Sequence, residues 1–139
     1  MAARRKKVKR FVIDVNGYIT FFLNGEANWL LQYTIKNKIE IFIDHQLLLE
    51  LVRVLNYSKL KKLLPLDTFA YVNFVRLIST QIDSDAFNVQ SPDPDDNYLF
   101  DLALSAHAKL LVTGDHALLH WKESPVETIS LSAFKKYFR

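Results

Sequence analysis

Six acidic residues stand where an otherwise apolar sequence is interrupted or comes to an end. Asp14 closes the apolar run Phe11-Val12-Ile13, and Asp115 follows Leu110-Leu111-Val112 across the turn Thr113-Gly114. Asp93, Asp95 and Asp96 lie where a Ser-, Pro- and Asp-rich loop enters a helical stretch. Glu50 interrupts the run LLLELVRVL between Leu47 and Leu55. Carboxylates brought together repel one another, raise their own pKa values and repel a phosphodiester. A divalent cation removes both problems, and hard oxygen donors suit Mg²⁺ or Mn²⁺ with waters retained for chemistry. One such ion polarises a phosphate and acidifies a bound water, and a second about 3.5–4 Å away stabilises the leaving oxygen. That chemistry needs neither a His nor a Cys nucleophile.

Taken singly, each acid has a plainer reading. An Asp after a strand is commonly a turn or cap residue, and Asp93 and Asp95 read as loop and capping residues. Arg53 is three residues beyond Glu50, the spacing of a helix-surface ion pair. His116 and His120 have the one-turn spacing of a zinc pair, but no Glu follows His116, and with His45 and His107 they read as surface or packing residues. Phe69, Val72, Phe74 and Val75 read as core rather than as a base-stacking platform.

The apolar runs imply the elements that position these acids. Short buried strands are expected at Phe11–Ile13, Ile39–Ile43 and Leu110–Val112, with a fourth at Val126–Ile129. Between them, helices are expected from Gly25-Glu26 to about Lys36, with Ala27, Leu30, Leu31 and Ile35 on one side, and after Asp44 through Leu55. Further helices are expected from Asp67 to about Ile78, from the Asp-rich loop to about His107, and over Ser132–Phe138. Alternation of this kind implies an α/β fold, a three-layer α/β/α arrangement about a central parallel sheet of four to five strands. Ligands in such sheets bind beyond the carboxyl ends of the strands, where Asp14 and Asp115 both emerge.

With 139 residues, one domain is expected. The absence of cysteine excludes disulfides, thiolate metal sites and thiol catalysis, and suits a reducing cytoplasm. No Gly-rich phosphate loop is present. The net charge of +3 comes from 18 Lys and Arg against 15 Asp and Glu. Six of the basic residues, Arg4, Arg5, Lys6, Lys7, Lys9 and Arg10, fall in the first ten positions, which leaves 12 against 15, or −3, for the remainder. The chain therefore reads as a basic arm over residues 1–9 on a mildly acidic domain over residues 10–139. The arm is either an RNA grip, a partner contact or a solubilising tail. Asp14 and Asn16 interrupt the apolar stretch that follows it, so neither an export signal nor a membrane span is expected.

The ordered motifs resemble the PIN-domain (PilT N-terminus) family, and within it the VapC-like toxin group of bacterial toxin–antitoxin systems. Phe11-Val12-Ile13-Asp14-Val15-Asn16 is similar to the family's opening strand, and Leu47 to Leu55 to the helix with its inward glutamate. The most specific stretch runs from Asp93-Pro94-Asp95-Asp96-Asn97-Tyr98-Leu99 through Asp101-Leu102-Ala103 to Leu111-Val112-Thr113-Gly114-Asp115. The resemblance covers about residues 10–138. It implies that Asp14, Glu50, Asp96 and Asp115 are the metal-binding and catalytic acids, supported by Asn16 and Thr113. It further implies a Mg²⁺- or Mn²⁺-dependent endoribonuclease, a cognate antitoxin as partner and a homodimer. Family members often carry another acid two residues after the last Asp; here that residue is Ala117, so this position does not support a second metal.

Other readings are a PIN-like module that binds RNA or protein without cutting, and a haloacid-dehalogenase-type phosphatase. The phosphatase needs an Asp where Asn16 stands and an acid where Leu119 stands. A receiver domain needs adjacent acids after the first strand, and Asn16 again breaks that pattern. The helices around Leu30–Tyr33 and Phe69–Phe74 are candidates for an antitoxin contact.

Overall fold

Three apolar strand segments form the middle of the sheet in a computed structural model that describes residues 9–138. Phe11, Val12 and Ile13 of β1 (Lys9–Ile13) and all of β4 (Leu110–Val112) are fully buried, and Ile41 to Ile43 of β2 (Ile39–Ile43) nearly so. Strands apolar on both faces require cover on both, and helices flank the sheet in three layers. All five strands are parallel, in the order β3-β2-β1-β4-β5, with β3 at Ser79–Gln81 and β5 at Glu127–Ile129. The chain leaves β1 toward β2 on one side and later returns to β4 on the other. The gap beyond the carboxyl ends of β1 and β4 is therefore the switch point at which such sheets bind ligands.

The helices are α1 (Val15–Leu23), α2 (Ala27–Lys36), α3 (His45–Leu55), α4 (Ser58–Leu63), α5 (Thr68–Ile78), α6 (Asn97–Ser105), α7 (His116–Leu119) and α8 (Leu131–Lys136). The expected caps form: Asp44 accepts from Leu47 N–H at 2.9 Å, and Asp67 from Ala70 N–H at 2.9 Å. Gly17 lets α1 lie close to the sheet, since a Cβ there would meet Ile13 Cγ2 at 2.9 Å. Beside α1, α8 seats Phe134 against Phe11, ring centroids 5.7 Å apart, and against Phe21 of α1 at 6.4 Å. No helix among the described residues is long and apolar enough to cross a membrane.

The differences from expectation have local causes. α1 occupies a stretch whose apolar residues are too continuous to show a helical period. β3 is polar and borders the sheet, so it lacks the apolar run that marks a central strand. α4 and α7 are six and four residues long, too short for a periodic pattern. On α2 the buried residues are Leu30 and Thr34, whose hydroxyl donates to Leu30 O at 2.8 Å, while Ile35 is turned outward. On α5 the buried stripe is Tyr71, Val75 and Ile78, at i, i+4 and i+7; Phe69 falls off that stripe and is exposed rather than core.

Candidate active site

Register places the first two site residues. Ile13 pairs with Val112, so the next residues on each strand, Asp14 and Thr113, emerge side by side at the switch point. The Asp14 N–H donates to Val112 O at 2.9 Å, and the Thr113 N–H to Ile129 O at 3.0 Å. The fully buried Thr113 donates its hydroxyl proton to Asp14 Oδ2 at 2.8 Å and accepts the Asp115 N–H at 3.1 Å. One hydroxyl thus orients the buried Asp14 carboxylate and the backbone that carries Asp115. Asp115 Oδ1 in turn accepts the Ala117 N–H at 2.9 Å, capping α7, so its plain structural role and its place at the site coexist.

Asp96 arrives from a different direction. Asn97, at the start of α6, accepts at 2.9 Å from the Ser91 N–H and at 2.6 Å from the Ser91 hydroxyl. Asp93 accepts from Asp95 N–H at 3.0 Å, and Pro94 begins the single 3₁₀ turn Pro94–Asp96. These bonds pin the loop so that Asp96 faces Asp14. Together with Glu50, Asp93 and Asp95, the two line one open groove with a cavity of about 460 Å³. Asn16 lines the same groove with an exposed side chain.

The charges report their crowding. Burial raises the Asp14 carboxyl above its ordinary value; the Thr113 hydrogen bond opposes this, and the Asp115 charge adds a smaller push upward. The Asp96 carboxyl is pushed up to about 7, first by burial and then by the charges of Asp14, Asp93, Asp115 and Asp95. Asp115 therefore acts electrostatically on both of the other acids.

Glu50 lies in the groove but is engaged. Arg53 donates from Nε to Glu50 Oε1 at 3.1 Å and from Nη2 to Oε2, and its third nitrogen donates to Tyr57 Oη. The helix-surface pair and the groove position are both realised. Lys9 and Arg10 occupy the opposite end of β1, about 13–17 Å of strand away from Asp14. Lys9 Nζ donates to Asn37 O at 3.0 Å, and Arg10 Nη1 to Ala106 O at 3.1 Å. Arg4, Arg5, Lys6 and Lys7 lie outside the described residues.

Gln46, Arg53 and Tyr98 also line the groove. Sequence reasoning did not assign them to the site, although Gln46, Glu50 and Arg53 follow the i, i+4, i+7 stripe of one helix face. Tyr98 lies two residues beyond Asp96, and only the packing of α6 against α3 shows where it stands.

Among the described residues no three Asp, Glu or His side chains form a ready-made ligand set. The donor chemistry nevertheless fits a hard divalent ion. Asp14, Asp96 and Asp115 offer carboxylate oxygen only, and the raised Asp14 and Asp96 carboxyls are crowded in the way a dication relieves. Replacing Thr113 by Val keeps the shape and removes the hydroxyl. Divalent-cation affinity is expected to fall roughly 10–100-fold, the effect of losing an outer-shell partner. Calorimetric titration with Mn²⁺ checks this, and unchanged affinity would count against Thr113 as the orienting group.

Comparison with known proteins adds the following. A family model described as PIN domain matches residues 10–117. A search of curated proteins finds no match. Among solved structures, a chain in the crystal structure of VapBC2 from Rickettsia felis bound to a DNA fragment from their promoter superposes with a TM-score of 0.60. The identity is 16%, over 87% of this chain and 98% of that one.

Proposed function

Because the chain belongs to the PIN-domain family, a family generally of nucleases that use divalent metals, we propose that it is a Mg²⁺- or Mn²⁺-dependent endoribonuclease acting as the toxin of a toxin–antitoxin pair. The observation that carries this reading is the meeting of Asp14 and Asp96 in one groove at the switch point, with the Asp115 charge acting on both. Asp14, Asp96 and Asp115 are the residues that would hold the cation. When bound, a divalent ion neutralises the phosphate and makes water a better nucleophile near neutral pH.

The chain's own groups do the remainder. Thr113 fixes the Asp14 carboxylate so that no rotamer search precedes binding. Asp96 gives up its proton as the site is loaded. Glu50 orients the attacking water for in-line attack at phosphorus, with Arg53 holding its carboxylate, and Asn16 supports the metal-binding acids from the groove wall.

An antitoxin is the partner this reading implies, and the likeness to a chain of the VapBC2 complex supports it. Of the two candidate contact stretches, Leu30 is buried, whereas Phe69 is 71% exposed, and Leu77, beyond that stretch on the same helix α5, is 75% exposed. We therefore place the antitoxin contact on α5. A homodimer and a cytoplasmic site of action belong to the same reading.

The test is cleavage of mixed RNAs by the purified protein. Activity is expected with Mg²⁺ or Mn²⁺, complete loss in EDTA and recovery when the cation is restored. RNA binding that is indifferent to EDTA, with no cleavage in any cation, would favour the non-cleaving module.

A further inference from the structure

A second groove adjoins the acid groove, and its composition is different. It has a cavity of about 380 Å³, and its lining includes His45, Gln46, Asp83, Tyr98 and Asp101. Gln46 and Tyr98 line both grooves, so they form the wall between them. A polymer leaving the acid groove across that wall enters the second one.

The polar groups of the second groove select what can occupy it. No Lys or Arg lines it among the described residues, and three Asp do, so a phosphate is disfavoured. Asp44 is buried and already accepts from Leu47 N–H at 2.9 Å and from the Ser84 hydroxyl at 2.7 Å. Asp101 Oδ1 accepts the Phe87 N–H at 2.9 Å. The exposed Asp83 carboxylate and the Gln46 carbonyl remain as acceptors, matched to a neutral ring that presents amino groups. Tyr98 is half-buried in the wall shared by the two grooves, where its hydroxyl is a donor and its ring offers a flat surface. Single-stranded RNA is read in this way, by stacking unpaired bases on aromatic side chains and bonding their edges.

Resting on the ribonuclease reading above, we propose that the second groove is the subsite for the nucleobase next to the scissile phosphodiester. Tyr98 is the ring on which that base stacks. Gln46, His45 and Asp83 read its edge, favouring bases that carry an exocyclic amino group, such as adenine and cytosine, over uracil, which has none. The acid groove then takes the phosphate and the second groove takes the base, so cleavage acquires a sequence preference at the flanking nucleotide.

The experiment uses the full chain with Ca²⁺ in place of Mg²⁺ and measures fluorescence anisotropy with short labelled oligo(A), oligo(C) and oligo(U). Oligo(A) and oligo(C) are expected to bind more tightly than oligo(U). Tyr98→Ala is expected to weaken oligo(A) and oligo(C) roughly 5- to 150-fold, the loss of one base–aromatic stack, and to flatten the preference. Tyr98→Phe, which keeps the ring, is expected to retain most of the affinity. If Tyr98→Ala fails to fold by circular dichroism, the decision passes to the double variant His45→Ala with Gln46→Ala, both exposed positions. That variant is expected to lose the preference for adenine and cytosine.

Wild-type protein that binds none of the three RNAs, or that shows no base preference, overturns the subsite. So does a folded Tyr98→Ala chain that binds like wild type. The two readings fail separately. Wild type that cuts RNA in Mg²⁺, with cleavage positions, kcat and KM unaltered by Tyr98→Ala, sinks the subsite and leaves the nuclease. Binding that depends on Tyr98 in a chain that cuts in no cation sinks the nuclease and supports only the second groove as a base-binding site.

Discussion

Asp14→Asn is expected to lower RNA cleavage by more than about 100-fold, since loss of even an outer-shell partner of a metal ligand costs 10- to 100-fold. The substitution removes one negative charge and almost no volume. Asn still offers a carbonyl oxygen to the Thr113 hydroxyl, so the 2.8 Å hydrogen bond has a partner, and the backbone bond to Val112 is untouched. Burial already opposes the charged form of Asp14, so its neutral replacement is expected to fold at least as stably. The informative result is the combination of lost cleavage with an unchanged or raised melting temperature. A protein that melts normally and retains cleavage within a few-fold of wild type would remove Asp14 from the site. Asp115→Asn is expected to behave in the same way, because Asn is as good a helix cap as Asp and spares the bond to Ala117.

Cation affinity is expected to depend steeply on pH, with Asp96 as the main cause. Its carboxyl is raised from 3.8 to about 7 in the folded chain. Between those values the folded protein holds a proton that the unfolded chain has lost. Without a cation, stability therefore falls as pH rises through this window, the reverse of a carboxylate held in an ion pair. Binding of a divalent ion must expel that proton. Below pH 7 apparent affinity is expected to fall by roughly tenfold per unit, and at pH 8 the proton no longer competes. Two measurements check this. Isothermal titration with Mn²⁺ at pH 5.5 and pH 8 should differ by more than about tenfold on the same linkage. The rise in melting temperature on adding Mn²⁺ should be larger at pH 8. Equal affinities at the two pH values would mean that Asp96 does not face the ion.

Glu50 shows how local and tertiary information divide. Its neighbour Arg53, three residues on, was enough to expect a surface ion pair, and that pair exists. That the same carboxylate opens onto the groove holding Asp14 and Asp96 depends on how α3 is set against the sheet and α6. The terminal basic run also divides. Composition separates it from the acidic remainder, but Lys9 and Arg10 belong to β1 and bond to backbone carbonyls at the end of the sheet away from the acids.

The central strands, the capped helices at Asp44 and Asp67 and the parallel α/β class were determined by the sequence alone. They rest on local rules: unbroken apolar triplets must be buried on both faces, and an Asp before a helix caps it. The emergence of Asp14 and Asp115 at one sheet edge was determined in the same way, because parallel strands end on the same side. The pairing of Ile13 with Val112, which sets Thr113 against Asp14, was decided only by the tertiary structure. So was the delivery of Asp96, rather than Asp93 or Asp95, into the most strongly coupled position, and the use of Tyr98 and Gln46 as a wall shared by two grooves. The reason is physical. Strand register, loop pinning and helix docking follow from contacts between residues distant in the chain, some 99 positions apart for Thr113 and Asp14, and no local pattern encodes such a distance.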